Sequence, residues 1–256
     1  MPELISSPQN PKVRDLIALQ TKSRERKARG LFVVEGRREF ERARAAGFEP
    51  ATVFVREGEA FAGEADFLVS ERVYGKIAMR GGTEGIVAVM RTRDISLDKI
   101  SLSPAPLVLV LESVEKPGNL GAVLRSADAA GVDAVLVCDP LTDLFNPNLI
   151  RASLGAVFSV PTAVCTSEEA YAWLSSNGIA ILTAQLQDSE LYYRTDMIRP
   201  TALVFGAEDT GLSGFWRERA DAHIRIPMAG MMDSLNISVS AAILAFEAVR
   251  QRNLKR

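Results

Sequence analysis

The feature that most constrains the fold is a series of short apolar segments in the second part of the chain. The first, "LVLVLES", begins at Leu107, and a continuous apolar run of this length is typical of a strand buried in a parallel sheet. Further candidate strands are "AVLVCD", "SVPTAVC", "IAILTAQ", "TALVFGAE" and "HIRIPM". Predicted helices separate most of them, at 118–130, 147–154, 167–176, 213–219 and 236–252. This alternation predicts a doubly wound parallel α/β sheet with ligands at the carboxyl ends of its strands.

The first part of the chain alternates in the same way. After a predicted helix at 12–22, the candidate strands are "LFVVEG", "ATVFV", "DFLVS" and "GIVAVM", and the candidate helices are "RREFERARAAG" and "ERVYGKIAM". The pattern predicts a separate, smaller α/β domain. The stretch "DISLDKISLSPAP" carries two prolines and little periodicity, which indicates a domain boundary. We therefore predict domains at 1–95 and 107–256, joined by a linker at 96–106.

Charge is distributed unevenly between the two predicted domains. The whole chain of 256 residues has a net charge of −2, which gives no global field that would attract nucleic acid. Residues 1–95, however, carry 17 Lys and Arg against 14 Asp and Glu, whereas the remainder carries 13 against 18. The densest basic run is "KSRERKAR", at 22–29. Either a solvated helix face or an RNA-contacting arm accounts for such a run.

Histidine and cysteine usage excludes several kinds of site. His223 is the only histidine, which excludes a histidine-based metal site or catalytic triad, and its place inside "HIRIPM" favours a structural role. Cys138 and Cys165 lack the short spacing of metal ligands, so we predict buried free thiols in a reducing cytosol. The sequence shows no signal peptide and no apolar stretch of membrane-spanning length. We expect a cytoplasmic protein without a metal.

Polar clusters follow three of the predicted strands. The first, "VEKPGNLGAVLRSADAAG", opens a helix at Asn119 and places Arg125 six residues later. The second, "VFGAEDTGLS", ends a buried strand with Gly206 and Glu208. The third is "IPMAGMMDSLNIS", which precedes the last predicted helix. Because the carboxyl ends of parallel strands meet at one edge of the sheet, the three clusters predict a site there.

The third cluster has more polar groups than a helix start requires. The helix that follows, "ISVSAAILAFEAVRQR", is apolar on nearly all sides and is therefore expected to be buried. Such a helix needs one or two side chains to cap its free N–H groups. The sequence instead places Asp233, Ser234, Asn236 and Ser238 at its entrance. The surplus indicates a functional site in addition to a cap.

Each residue in these clusters also has a purely structural interpretation. Arg125 is three residues before Asp128, with which it can form a surface ion pair on a helix. Glu208 can serve only to hold a loop, and glycines such as Gly206 are used as often in tight turns as in ligand contacts. The first strand–helix turn, "ESVEKPGNLG", lacks the G-x-G-x-x-G spacing. A dinucleotide enzyme or an ordinary Rossmann-type methyltransferase is therefore disfavoured.

Taken in order, the clusters resemble the three motifs of the SpoU/TrmH family of RNA 2′-O-ribose methyltransferases, part of the SPOUT superfamily. The residues that match are Asn119, Gly121 and Arg125, then Gly206, Glu208, Gly211 and Leu212, and then Ile226, Pro227, Met228, Ser234, Leu235, Asn236 and Ser238. The resemblance covers about residues 107–252. The region from "GLFVVEGRREFERARAAG" to "GIVAVM" is also similar to the L30e-like substrate-binding domain that many members carry.

The resemblance implies a fold, a cofactor and a set of site residues. It implies a SPOUT-type parallel sheet with helices on both faces and a trefoil knot, in which the last helix threads through a loop, and a homodimer. The implied cofactor is S-adenosylmethionine (SAM), with Gly206, Ile226 and Leu235 among the residues that bind it. The implied catalytic residues are Arg125, Asn119, Glu208, Ser234 and Asn236. Because a guanidinium is effectively always protonated, we favour Arg125 as a group that holds phosphate and stabilises negative charge over a general base.

The reaction that the resemblance implies is methyl transfer from SAM to a ribose 2′-hydroxyl of RNA. Ribosomal RNA is favoured over tRNA because a separate substrate-binding domain is typical of the rRNA-directed members. Three alternatives remain: a tRNA-directed 2′-O-methyltransferase, a non-catalytic RNA-binding protein that keeps the fold, and a small-molecule α/β enzyme. The complete polar set argues against the second, and the basic first segment argues against the third.

Overall fold

A computed structural model describes residues 2–60, 62–79 and 84–254. The helices along these residues are α1 (Pro11–Thr21), α2 (Ser23–Arg29), α3 (Arg37–Ala45), α4 (Glu71–Ile77), α5 (Pro117–Ala130), α6 (Pro147–Ala152), α7 (Ala156–Ser159), α8 (Ser167–Ser176), α9 (Gly214–Arg219) and α10 (Ile237–Asn253). The strands are β1 (Glu3–Ile5), β2 (Leu31–Glu35), β3 (Pro50–Arg56), β4 (Phe67–Val69), β5 (Ile86–Arg91), β6 (Leu107–Glu112), β7 (Ala134–Cys138), β8 (Thr162–Cys165), β9 (Ala180–Ala184), β10 (Glu190–Leu191), β11 (Thr201–Phe205) and β12 (Ala222–Arg225).

The chain forms two compact units. The N-terminal unit comprises Met1–Arg93 together with Asp143–Ser159, and the C-terminal unit comprises Asp94–Thr142 together with Val160–Arg256. A segment between β7 and β8 therefore belongs to the N-terminal unit, although the predicted domain boundaries assign it to 107–256.

The N-terminal unit is built on a mixed sheet. The described strands form a five-stranded sheet in the order β1-β4-β3-β5-β2. Strands β1, β4 and β3 run parallel, and β5 runs antiparallel to both β3 and β2. One face is covered by α1 and α4, whose buried residues include Val13, Leu16 and Tyr74. This is the smaller α/β domain predicted from the alternating pattern.

Four phenylalanines explain why the 143–159 segment groups with this unit. Phe32 and Phe145 stack with ring centroids 4.5 Å apart, and Phe48 lies edge-on to Phe158 at 5.3 Å. All four rings are at least nine-tenths buried. Buried aromatic side chains each remove a large apolar area from water, so the cluster holds the segment firmly to β2 and the turn after α3.

Helix α2, which contains most of the basic run, is fixed by a buried arginine. Arg26 is 4% exposed, and its guanidinium donates to both carboxylate oxygens of Asp143, at 3.2 and 2.5 Å. It also donates to the carbonyl oxygens of Leu19 and Gln20, at 2.7 and 3.1 Å. The solvated-face interpretation of the run therefore fails at Arg26, although Arg24 and Lys27 are exposed.

The C-terminal unit is built on a parallel sheet. The described strands form a seven-stranded sheet in the order β10-β12-β9-β11-β6-β7-β8, and every neighbouring pair is parallel. Every residue of the central strands β6, β7 and β11 is buried, as the continuous apolar runs predict. The predicted class, a parallel sheet flanked by helices with a smaller α/β domain, is confirmed. The trefoil knot stays a prediction.

Helices α5 and α10 pack against each other beside β6 and β11. Pro117 occupies the first turn of α5, where its missing N–H costs nothing, and Gly131 ends the helix in the left-handed conformation with φ of 63°. Asn236 caps α10, which buries Ile237, Ala241 and Leu244. The starts of both helices thus lie near the carboxyl ends of the central strands. Among the described residues, no helix is both long and apolar enough to span a membrane.

Candidate active site

Asn236 links the start of α10 to the other two predicted clusters. Its side-chain Oδ1 accepts hydrogen bonds from the backbone N–H of Ser238 at 2.9 Å and from the Ser238 hydroxyl at 2.7 Å. Because both groups are donors, Oδ1 must face Ser238, which leaves the Nδ2 amide free to donate elsewhere. The cap and the site are thus made by the same side chain.

Glu208 accepts the hydrogen bonds that join the three clusters. Its Oε1 accepts from Nδ2 of Asn236 at 3.0 Å and from Nδ2 of Asn119. Nδ2 of Asn236 also lies 3.3 Å from Oδ1 of Asn119. We call Asn119, Glu208 and Asn236 the polar cluster. It brings together residues from the start of α5, the loop after β11 and the start of α10, as the sequence predicts.

Lys116 is a fourth member of this network, and sequence reasoning missed it. Its Nζ forms an ion pair with Oε2 of Glu208, the oxygen that the two asparagines leave free. The Lys116 side chain is 66% exposed, against 27% for Glu208. The hydrogen bond from Lys116 to Glu208, with the negative charge of the carboxylate, raises the pKa of Lys116. The sequence does contain a feature that could have identified Lys116: it stands directly before Pro117 at the start of α5, the helix that carries Asn119.

A cleft of about 620 Å³ opens beside the polar cluster. Glu208, Ser234 and Asn236 line it, together with the predicted cofactor residues Gly206, Ile226 and Leu235. Its volume falls in the range of small-molecule sites, roughly 300–1,000 Å³.

The chemistry of the cleft fits SAM. Leu186 and Met228 provide apolar surface for an adenine ring, Asp209 provides a carboxylate for hydroxyl or ammonium groups, and Arg217 provides a guanidinium for a carboxylate. These groups match the three chemical parts of the cofactor: base, ribose and amino acid. The residues present therefore fit the group that the resemblance implies.

Gly206 is required by the protein's own backbone. A Cβ at this position would lie closer than van der Waals contact to backbone atoms of Gly211 and Leu212. The loop closes tightly here, because the Gly211 N–H donates to the carbonyl of Ala207 at 3.0 Å. Larger residues at position 206 would distort this loop.

Arg125 lies apart from the polar cluster. It is exposed on α5, and its guanidinium forms no hydrogen bond or salt bridge within the residues that the structure describes. Six helical residues separate it from Asn119, which corresponds to a rotation of roughly 240° and a rise of about 9 Å. The two side chains therefore leave α5 on different faces. The surface ion pair between Arg125 and Asp128 is absent from the described salt bridges.

Ser234 lines the cleft without joining the polar cluster. Its hydroxyl donates to Oδ1 of Asp233 at 3.3 Å, and both side chains are exposed. Of the five predicted catalytic residues, three thus meet directly, Ser234 lies on the cleft wall and Arg125 lies elsewhere on α5.

His223 and the two cysteines lie outside this arrangement. Nδ1 of His223 is 2.6 Å from the hydroxyl oxygen of Thr183, a contact between neighbouring strands β12 and β9. Cys138 and Cys165 are free thiols with sulfur atoms 3.9 Å apart, the first buried and the second half-buried. Their mutual contact, with burial, raises the pKa of Cys138. No group of three or more potential metal ligands occurs among the described residues.

Solved structures and sequenced relatives match nearly the whole chain. A structure described as an RNA 2′-O ribose methyltransferase is 40% identical, covers 98% of this chain and 99% of its own, and has a TM-score of 0.86. The AdoMet-bound rRNA methyltransferase from Sinorhizobium meliloti is 29% identical, with 97% of each chain covered and a TM-score of 0.89. The 23S rRNA (guanosine(2553)-2′-O)-methyltransferase RlmP of Bacillus subtilis is 29% identical, covering 94% of this chain and 97% of that protein.

Two family models match separate parts of the sequence. The MRM3-like substrate binding domain matches residues 10–88, within the N-terminal unit. The SpoU rRNA Methylase family matches residues 106–246, which contain the polar cluster and the cleft. The chain therefore belongs to the SpoU rRNA methylase family.

Proposed function

We propose that this protein transfers a methyl group from SAM to a ribose 2′-hydroxyl of ribosomal RNA. The observation that carries the proposal is the polar cluster at the edge of a cleft whose lining fits SAM. Two relatives matched over nearly their whole length are named as 2′-O methyltransferases, and a third, named as an rRNA methyltransferase, is bound to AdoMet; these names support the same reaction.

The residues of the cluster provide what a ribose hydroxyl needs to react. Bound SAM supplies an electrophilic methyl group on a sulfonium. A ribose hydroxyl is a weak nucleophile, so the protein must orient it and accept its proton. Glu208 provides the carboxylate acceptor, and Asn119 and Asn236 fix the direction in which that carboxylate points. Ser234, on the cleft wall, is placed to orient the substrate or the cofactor.

Arg125 is proposed to bind RNA phosphate and to stabilise charge, and not to accept the proton. Its guanidinium forms no described hydrogen bond or ion pair, so it is available to hold a phosphate of the RNA bidentately and to stabilise negative charge on the hydroxyl oxygen. Since Arg125 and Asn119 leave α5 on different faces, Arg125 is suited to the site of a second subunit. The site is then completed only in a homodimer.

An exposed apolar stripe on α10 supports the homodimer. Val239 and Phe246 are 46% and 47% exposed, and the half-buried Ala242, Ile243 and Val249 continue the same stripe at helical spacing. A twofold axis brings identical patches together, and a helix with an apolar stripe is suited to such self-pairing. Because α5 packs against α10, we expect pairing through this stripe to bring α5, and with it Arg125, near the partner.

The N-terminal unit is proposed to bind the RNA. Its match to a substrate-binding domain and the positive balance of residues 1–95 both support this role. A tRNA substrate remains the second candidate, and ribosomal RNA is preferred because RlmP, a relative matched over its whole length, is named for 23S rRNA. The predicted cytoplasmic location follows from such a substrate and stays a prediction.

Methylation of defined RNAs tests the proposed reaction. The wild-type protein is incubated with SAM carrying a labelled methyl group and with unmodified 23S rRNA, 16S rRNA or total tRNA. We expect label in 23S rRNA at one ribose, located by mass mapping, and its loss with Asn236→Ala. Label in tRNA alone would move the substrate to the second candidate, and no label in any RNA would reject the methyltransferase proposal.

Sedimentation of the purified protein tests the homodimer. We expect the wild type to sediment as a dimer at micromolar concentration and Phe246→Asp to sediment as a monomer. Leu141→Asp is the matched control, because Leu141 is also exposed but lies outside α10. A wild-type monomer with full activity would reject both the dimer and the shared site.

A further inference from the structure

Lys116 covers the only oxygen of Glu208 that can receive a hydrogen from substrate. Oε1 already accepts from two amide groups, which use the lone-pair positions of that oxygen. Among the residues that the structure describes, Lys116 is the one donor to Oε2. Building on the proposed RNA methylation, we propose that Lys116 is a positioning residue that holds Oε2 in the free protein and moves to a phosphodiester of the RNA when substrate binds.

The three donors to Glu208 differ in how firmly they are held. Asn236 is fixed by Ser238 as the cap of α10, and Asn119 lies within the first turn of α5. Lys116 precedes α5, and its side chain is two-thirds exposed on a flexible four-carbon stem. Lys116 is therefore the donor that can leave without disturbing either helix start.

An RNA phosphate is the partner that would draw Lys116 away. A lysine is charged at neutral pH, and the contact with Glu208 raises the pKa of Lys116 further, so its ammonium group carries a positive charge when it meets an anion. Lysines bind phosphodiesters through charge, and the counterions that leave the RNA on binding add to the affinity.

The position of Lys116 supports the exchange. Lys116, Asn119 and Glu208 line a small crevice that adjoins the cleft and shares Glu208 and Asp209 with it. A ribose held at Glu208 carries phosphates on its 3′ and 5′ sides, within one nucleotide of the reacting hydroxyl. The ammonium group therefore lies beside the path of the RNA backbone.

The exchange couples RNA binding to the chemical step. Once Lys116 has left, Oε2 can accept the hydrogen of the 2′-hydroxyl. The hydroxyl oxygen then forms its bond to the methyl carbon, the electron pair of the broken carbon–sulfur bond stays on sulfur, and the O–H proton passes to Oε2 and then to solvent. Without RNA, the carboxylate is occupied and neutralised by Lys116.

The salt dependence of RNA binding tests the proposal. Binding of a 23S rRNA transcript is measured across a salt series for the wild type, Lys116→Met, Lys116→Arg and Lys99→Met. Loss of one phosphate contact is expected to reduce the slope of log K against log salt by about 0.7 for Lys116→Met, while Lys116→Arg keeps the wild-type slope. Lys99→Met is the matched control, since Lys99 is an exposed lysine beside carboxylates, 3.4 Å from Asp98. It should also keep the wild-type slope.

A second pair of variants separates contact with RNA from support of Glu208. In a Glu208→Gln background, Lys116→Met should still reduce the slope, because the lost contact is with phosphate. In the Glu208-containing protein, Lys116→Met should raise KM for RNA more than it lowers kcat. An unchanged slope in either background would overturn the proposal, and calorimetric SAM binding shows that each variant is folded.

The same measurements distinguish this proposal from the proposed function. If the wild type methylates 23S rRNA and Lys116→Met keeps the wild-type slope, only the exchange of Lys116 is rejected. If the wild type neither binds nor methylates the RNA, the methyltransferase proposal and the exchange fall together.

Discussion

The two units each contain an ion pair between residues distant in sequence, and the two pairs differ in nearly every physical respect. Arg26 and Asp143, in the N-terminal unit, have side chains only 4% and 8% exposed. Lys116 and Glu208, in the C-terminal unit, are 66% and 27% exposed. Arg26 also donates to two backbone carbonyls, which fixes its orientation, whereas Lys116 has the Glu208 carboxylate as its one hydrogen-bond partner in the described part of the chain.

This difference separates a charge that holds the fold from a charge that serves a site. Breaking a buried pair leaves a charge without water or a partner, so the free energy of unfolding falls by several kcal/mol. An exposed pair contributes little to stability, because water replaces either partner. Lys116 can therefore exchange partners, while Arg26 cannot.

Removing the N-terminal part of the chain should give the largest effect. A fragment of residues 97–256 keeps the 143–159 segment but loses Phe32 and Phe48, which cover Phe145 and Phe158. Exposed phenylalanines favour aggregation, so we expect the fragment to be poorly soluble and to lack a cooperative melting transition in circular dichroism. Replacing Phe145 and Phe158 by serine in the fragment should restore solubility. A monodisperse fragment that binds SAM without those replacements would show that the segment folds independently of the N-terminal unit.

Arg26→Met should destabilise the N-terminal unit by about 3–5 kcal/mol, because Asp143 would be left buried without its partner. Urea unfolding followed by fluorescence and circular dichroism measures the change. The double substitution Arg26→Met with Asp143→Leu removes both charges and should recover most of the lost stability. If the single and double variants are equally unstable, packing of the Arg26 stem rather than its charge supports α2.

The sequence predicts the parts of the site that obey local rules. Asn119, Glu208 and Asn236 each follow a buried strand or open a helix, so parallel-strand geometry alone places them at one edge of the sheet. Their mutual hydrogen bonds confirm that placement. The predicted helices and the longer strands also match, because their apolar periodicity extends over enough residues to be recognised.

The parts that escape prediction depend on contacts far apart in the chain. Lys116 and Glu208 are separated by 92 residues, and Arg26 and Asp143 by 117, so no local pattern relates either pair. The basic run gives no indication that one of its arginines is buried. Strands β1 and β10, of three and two residues, are too short to show a periodicity. Tertiary packing alone decides these features.

Arg125→Lys should reduce turnover on the order of a hundredfold, as expected when a donor to the transition state is lost. Lysine keeps the positive charge but lacks the planar fork that binds phosphate through two hydrogen bonds. Single-turnover methylation measures the effect, with SAM binding as the control for folding. A rate within a few-fold of the wild type would remove Arg125 from the site.

Mixed dimers show whether Arg125 serves its own subunit or the partner. Arg125→Lys and Asn236→Ala subunits are co-expressed with different affinity tags, so that mixed dimers can be isolated. If each site uses Arg125 of one subunit and Asn236 of the other, the isolated mixed dimer has one intact site out of two and should show about half of wild-type activity. Activity that stays at the level of the separate variants would place both residues in the same subunit's site.

The smallest effect should be that of Lys116→Met on stability. The Lys116 side chain is 66% exposed, so water can replace the ammonium group at Oε2 of Glu208. Asn119 and Asn236 still hold Oε1, which keeps the carboxylate in place. Calorimetric melting should therefore give a Tm indistinguishable from that of the wild type, at both low and high salt. A clear drop in Tm, comparable with that of Arg26→Met, would mean that Lys116 holds the start of α5 to the loop after β11. In that case the lysine would belong with the charges that maintain the fold, and it would be too tightly bound to Glu208 to exchange with RNA.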